Sequence, residues 1–123
     1  MAKKILIVDD EDNIRELVKA SLKREGFELH EAMDGNDGLA KAKELKPDLV
    51  ILDVMMPGKV GYEVCEELKK NPDTKDIYVI FLSSRTSPSS EESARMAGGD
   101  EWMYKPFEPK ELRERVKKAL GLE

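Results

Sequence analysis

Three carboxylates, two hydroxyls and one amine each follow directly on a run of mostly apolar residues. Asp9 and Asp10 come after the run at 5–8, and Asp53 after the run at 49–52. Ser83 and Ser84 come after 78–82, and Lys105 after 102–104. The stretch L-V-I-L-D-V-M-M-P (49–57) puts Asp53 behind four apolar residues. A carboxylate there needs something to offset its charge, because burial without a partner is costly. Adjacent carboxylates are hard oxygen ligands, and with room for water they suit Mg²⁺. Asp9, Asp10 and Asp53 carry three negative charges, and one Mg²⁺ with Lys105 carries three positive ones, so a site holding all of them is near neutral. Without the metal, mutual repulsion raises at least one carboxylate pKa. With it, one carboxylate stays ionised and available as a nucleophile.

Each residue also has a plainer reading. Acids after Val8 equally favour the start of a helix. A serine after a strand often only makes a turn, and a lysine before proline is often solvent-exposed. The chemical reading rests on coincidence, since every one of them stands just beyond an apolar run.

The elements that must position them alternate. The β-branched run at 5–8 reads as a strand, followed by Ile14, Leu17, Val18 and Leu22 at helical spacing, with Gly26 as the stop. Glu28–Ala32 alternates weakly, as an edge strand does. A helix over 36–46 stops at Pro47, and the central strand follows at 49–52. Val64, Cys65 and Leu68 give a third helix its inner face, and 78–82 is another continuous apolar strand. Ser87 and Pro88 offer an N-cap and a first helical position to a fourth helix, whose thin apolar face is Ala94 and Ala97 with Met96 nearby. Gly98 and Gly99 end it, the fifth strand spans 102–104, and Pro109 opens a last helix with Leu112, Val116, Ala119 and Leu120 inward. Such alternation predicts an α/β fold, a parallel sheet with helices on both faces and right-handed crossovers. Ligands in these sheets bind beyond the carboxyl ends of the strands, where strand order reverses.

A chain of 123 residues suits one domain and one core. Lys and Arg total 21 against 26 for Asp and Glu, a net charge of -5, which argues against a nucleic-acid-binding surface. The single cysteine, Cys65, excludes an internal disulfide and fits a reducing compartment; it reads as a small core residue, and His30 as a surface histidine. No apolar run is long enough to span a membrane, and the start M-A-K-K-I-L-I-V lacks a signal-peptide core, so a soluble, cytoplasmic protein is expected.

I-L-I-V-D-D-E (5–11), P-D-L-V-I-L-D-V-M-M-P-G (47–58), V-I-F-L-S-S (79–84) and K-P-F (105–107), in this order and spacing, resemble the receiver domain of two-component response regulators over essentially the whole chain. The resemblance implies a flavodoxin-like, doubly wound five-stranded parallel sheet in the order 2-1-3-4-5 with five helices. It implies one receiver domain over 1–123 with no effector domain in this chain. It makes Asp53 the phosphoacceptor and assigns Mg²⁺ to Asp9, Asp10, Asp53 and the backbone carbonyl of Met55, with Asp10 the likelier direct ligand of the acid pair. Ser83 becomes the switch hydroxyl, Lys105 the phosphate-contacting lysine, and Lys105–Pro106 a cis peptide bond. The implied phosphodonor is a sensor histidine kinase or a histidine phosphotransfer protein. Output is expected through a downstream protein on the face of the fourth helix, fifth strand and fifth helix, with no direct nucleic-acid or membrane contact. The chain is expected as a monomer or a phosphorylation-dependent homodimer, and as a signalling protein rather than an enzyme.

The sequence departs from the family at four positions. The switch aromatic is Trp102, which reads equally as a core or edge anchor. Val60 replaces a frequent acid. Met55 and Arg85, two beyond the phosphoacceptor and the switch residue, offer no obvious group for orienting water, so slow autodephosphorylation is expected. Two rival functions remain distinct. A receiver-like module binding partners without phosphorylation would not need the intact Asp9, Asp10, Asp53, Ser83 and Lys105 set. A phosphatase of the haloacid dehalogenase type would carry D-x-D after the first strand and an acid/base aspartate after Asp53, where Val54 and Met55 stand.

Overall fold

The computed structural model describes residues 2–56, 60–84 and 91–122. The apolar runs form strands β1 (Lys4–Val8), β2 (Glu28–Ala32), β3 (Leu49–Asp53), β4 (Tyr78–Ser84) and β5 (Glu101–Lys105). Between and after them lie helices α1 (Asp12–Leu22), α2 (Gly35–Leu45), α3 (Gly61–Lys70), α4 (Glu91–Met96) and α5 (Pro109–Ala119). All strand pairs are parallel, and the order is β2-β1-β3-β4-β5. This is the flavodoxin-like arrangement expected from the sequence.

The period-two geometry of strands sorts the apolar runs into two cores. Leu6, Val8, Val50, Leu52, Val79 and Phe81 face α2, α3 and α4, where Leu39, Ala42, Val64, Cys65, Leu68 and Ala94 meet them. Ile5, Ile7, Leu49, Ile51, Ile80 and Leu82 face the other way, onto Val18 and Leu22 of α1 and Leu112 and Val116 of α5. Every residue of β3 is buried, which is why its run from Leu49 to Leu52 is continuously apolar rather than alternating. Each such Leu, Ile or Val contributes about 1.5–3 kcal/mol by leaving water.

Several expectations are refined. Leu17 of α1 is 37% exposed, whereas Arg15 is buried; the inner face of that helix is therefore partly ionic. Helix α2 starts at Gly35, with the Asp34 carboxylate capping it by accepting from the Asp37 N–H at 2.8 Å. The Ser87–Pro88 cap lies outside the described residues. Ala94 and Ala97 do pack inward from α4 and its end, while Met96 points to solvent. Cys65 is fully buried, and His30 is half-buried against the Glu28 carboxylate at 2.7 Å. Lys105–Pro106 is cis. Among the described residues no helix is long and apolar enough to cross a membrane.

A polar network fastens β4 and β5 at their amino ends. Lys69 of α3 donates to the Ile77 carbonyl at 2.6 Å and to the Asp100 carboxylate at 3.0 Å. Asp100 in turn accepts from the Val79 N–H at 2.8 Å. Glu101 accepts from the Tyr78 hydroxyl at 2.7 Å and from Arg115 of α5 at 3.0 Å.

Candidate functional site

Register brings the reactive residues together at the opposite, carboxyl end of the sheet. Val8 is aligned with Leu52 across β1 and β3, Asp53 with Leu82 across β3 and β4, and Ser84 with Lys105 across β4 and β5. The residue after each strand run therefore lands on one rim. Asp9 and Asp53 are buried, at 1% and 5% exposure, while Asp10 faces solvent. One carboxylate oxygen from each of the three lies within 4.8 Å of the other two.

Lys105 reaches into this cluster from β5. Its ammonium is 3.0 Å from Asp9 Oδ2, 3.3 Å from Asp53 Oδ1 and 3.4 Å from Glu11 Oε1. Asp9 is further fixed by its backbone. Its N–H donates to the Ala32 carbonyl at 3.2 Å, and its Oδ1 accepts the Glu11 N–H at 2.9 Å. Ser83 is buried and donates from Oγ to the Ser84 carbonyl at 3.2 Å. Asp53, Met55, Ser83, Ser84, Lys105 and Glu11 all line a cavity of about 120 Å³.

Burial is the main electrostatic fact of the site. It pushes the Asp53 carboxyl up to about 7, the neighbouring Asp9 charge pushes the same way, and Lys105 pulls against both. Asp9 is also raised by burial, opposed by the Glu11 N–H and by Lys105. Burial works against the charge of Lys105 as well, but Asp53 and Asp9 outweigh it and hold its pKa above the usual value. The sequence led us to expect a raised carboxylate through repulsion alone. Desolvation turns out to be the larger cause, because the strand ends deliver Asp53 and Asp9 beneath the surface.

The donor set fits a divalent cation. Asp9 Oδ2 is buried and, among the described residues, has no aligned hydrogen-bond donor, only the Lys105 ammonium beside it. A Mg²⁺ ion binds oxygens at about 2.1 Å in an octahedron, which groups already this close can reach with small side-chain movements. Asp9, Asp10 and Asp53 would hold such an ion, and Met55 borders the same cavity as Asp53.

Trp102 stands away from the acids, half-buried on β5. Its ring packs on Phe81 at 6.3 Å between centroids and edge-on to Tyr104 at 5.9 Å. Its indole N–H is buried and has no acceptor among the described residues. Beside it runs a groove of about 380 Å³ between α4, β5 and α5, lined by Ala94, Arg95, Glu101, Trp102 and Arg115 among others. Sequence reasoning missed two contributors to the site. Glu11 shares Lys105 with the two buried aspartates, and Arg15 donates to the Asp9 carbonyl at 2.6 Å. The acidic run through Asp12 hinted at Glu11; a lone arginine in a charged helix gave no such hint.

The comparisons agree with this geometry. The family model of the response regulator receiver domain matches residues 5–117. A solved structure of a protein proposed to be a response regulator from Chloroflexus aurantiacus J-10-fl is 34% identical, with 98% of this chain and 99% of that one covered and a TM-score of 0.92. The chemotaxis protein CheY4 of Vibrio cholerae is 32% identical over 97% of this chain and 99% of its own, with a TM-score of 0.89. NtrX from Brucella abortus, solved in complex with ADP, is 33% identical with a TM-score of 0.86; the match spans 98% of this chain but only 26% of NtrX. The chain belongs to the response regulator receiver domain family, the signalling modules of two-component systems.

Proposed function

We propose that this receiver domain accepts a phosphoryl group on Asp53 from a histidine kinase or a histidine phosphotransfer protein, and that the modification alters partner binding. The observation that carries this reading is the placement of Asp53. A buried carboxylate borders a cavity of about 120 Å³, with an ammonium 3.3 Å from its Oδ1 and two further acids alongside.

In the transfer, an Asp53 oxygen attacks the phosphorus of a phosphohistidine. The new O–P bond forms as the N–P bond breaks, and the imidazole leaves with the bonding electron pair and takes up a proton. Lys105 neutralises charge on the transferring group, so positioning and electrostatics supply most of the catalysis. Bound Mg²⁺, held by Asp9, Asp10, Asp53 and the Met55 carbonyl, would supply charge neutralisation that keeps Asp53 ionised. The product adds about one negative charge relative to the carboxylate. Ser83 then exchanges the Ser84 carbonyl for a phosphoryl oxygen, and this differential contact biases the end of β4. Output goes through the groove between α4, β5 and α5, next to Trp102. Because neither Met55 nor Arg85, which lies outside the described residues, offers an obvious group to orient water, the phosphoryl group is lost slowly.

Intact-mass measurement after incubation with acetyl phosphate and Mg²⁺ tests the assignment. One added phosphoryl group is expected, and none in Asp53→Asn. Uptake that survives Asp53→Asn would move the phosphoacceptor elsewhere. No uptake from acetyl phosphate or from a phosphorylated histidine donor would favour a module that binds partners without phosphorylation.

A further inference from the structure

Arg15 is a charged side chain only 7% exposed, and a guanidinium that deep needs its donors met. It meets them on three separate segments. Nε donates to Glu31 Oε1 of β2 at 2.9 Å, Nη1 to the Asp9 carbonyl at 2.6 Å, and Nη2 to the Asp12 carboxylate in the first turn of α1. Glu31 is gripped from its other side by Lys19 at 2.6 Å. Lys41 of α2 also donates to the Glu31 carbonyl at 2.6 Å, so the far anchor of the fork is itself secured.

The acceptor that matters is the Asp9 carbonyl, because it belongs to the peptide joining Asp9 to Asp10. With the Asp9 N–H on Ala32 and Oδ1 on the Glu11 N–H, the guanidinium completes the hold on this residue. Oδ2 alone is left facing Lys105. We propose that Arg15 is the positioning residue of the acid pair: by fixing the Asp9–Asp10 peptide plane it sets the convergence of the Asp9 and Asp10 carboxylates on Asp53, and with it the affinity for a divalent cation it never touches. This rests on the reading that those three acids hold the cation.

A rigid fork explains the choice of residue. Arginine presents several donors in one plane, whereas lysine offers a single point charge. Its charge is already met by Glu31 and Asp12, so its effect on the site is geometric more than electrostatic.

The test is a Mg²⁺ titration of the full chain, followed through backbone amide shifts by NMR, alongside thermal unfolding. Arg15→Lys keeps the charge and loses the fork; it is expected to weaken Mg²⁺ binding about tenfold, as loss of a group supporting metal ligands does. Saturating Mg²⁺ should then restore phosphorylation of Asp53 to its full extent. Thr74→Val is the comparison variant. It removes the hydrogen bond from the buried Thr74 hydroxyl to the Leu68 carbonyl, outside the acid cluster, and should lower stability while leaving Mg²⁺ affinity unchanged. If Arg15→Lys also lowers only the melting temperature, Arg15 is a structural residue and the proposal is wrong. Should Arg15→Lys not fold, Glu31→Gln decides. It loosens the same fork from outside, and an unchanged Mg²⁺ affinity there overturns the proposal. Absence of Mg²⁺ binding by the unaltered chain would instead sink the reading of the site itself, and the role of Arg15 with it.

Discussion

A Cβ added to Gly61 would stand 2.4 Å from the carbonyl oxygen of Asp53. The amino end of α3 thus lies directly against the backbone that carries the proposed phosphoacceptor, and Gly61 N–H also donates to the Val54 carbonyl at 2.9 Å. No flexible side chain is available to yield, since the groups in the way are main chain. Gly61→Ala should therefore displace either α3 or the end of β3. We expect a loss of about 1–3 kcal/mol in stability, typical of forced overpacking, together with slower phosphorylation from acetyl phosphate. Chemical denaturation and the rate of mass gain check the two halves separately. Unchanged values for both would mean that the helix end moves without cost.

The raised pKa of Asp53 makes metal-free stability depend on pH in a definite direction. A carboxylate at about 7 when folded and near 3.8 when unfolded binds its proton more tightly in the native state. This stabilisation is fully present below the unfolded value and is lost as pH rises through about 7. The metal-free chain should be more stable at pH ~5.5 than at pH ~8 by about 2 kcal/mol, seen as a higher melting temperature. The depressed carboxylates Glu28 and Glu31 titrate below this window and do not obscure it. In Asp53→Asn the slope should flatten. A slope as steep as that of the unaltered chain would assign it to another group.

The same proton competes with the cation. Mg²⁺ affinity should rise with pH up to about 7, as Asp53 ionises, and level off above it. Calorimetry near neutral pH in buffers of different ionisation enthalpy should report proton release on binding. Binding that takes up or releases no proton near neutrality would place the cation away from Asp53.

Removing Lys105 should separate two roles of positive charge. Its ammonium sits between Asp9 and Asp53 and so repels a second cation. At pH ~8.5, above the Asp53 value of about 7, Lys105→Ala should bind Mg²⁺ more tightly, by several-fold. Phosphoryl transfer should nevertheless slow, because the group opposing charge on the phosphoryl oxygens is gone. Weaker Mg²⁺ binding at that pH would show that Lys105 holds the acids in place rather than competing for them.

Trp102 is the sole tryptophan, and its ring rests on Phe81 and Tyr104. If it shifts when the site fills, its fluorescence should change on adding Mg²⁺ with beryllofluoride. Unchanged emission with binding confirmed by NMR would remove Trp102 from the switch and leave it as an anchor of β5.

Much of this was legible in the sequence, because strand periodicity and topology alone decide which residues reach the rim. The runs ending at Asp9, Asp53, Ser83 and Lys105 became strands of one parallel sheet, and the sheet geometry gathered their ends. What sequence could not supply were pairings between distant segments. Arg15 looked like one more charge on α1, and its burial is tolerable because Glu31 of β2, the Asp9 carbonyl and Asp12 all accept from it. Leu17 keeps helical spacing with its apolar neighbours yet is 37% exposed, while Arg15 is buried. The constraint on Gly61 is equally invisible, as it depends on how closely α3 approaches β3.

The polar ties of Lys69, Asp100, Tyr78, Glu101 and Arg115 all lie at the amino ends of β4 and β5. At the other end, Lys105 is steadied by ionic attraction to Asp9, Glu11 and Asp53. Among the described residues the ties of this strand pair thus differ in kind from one end to the other, neutral and ionic hydrogen bonds at the amino ends and the Lys105 ion pairs at the carboxyl end. The charge that the proposed phosphorylation would add therefore falls at the end where these strands meet the rest of the fold through ion pairs, whose strength depends directly on the charge beside them.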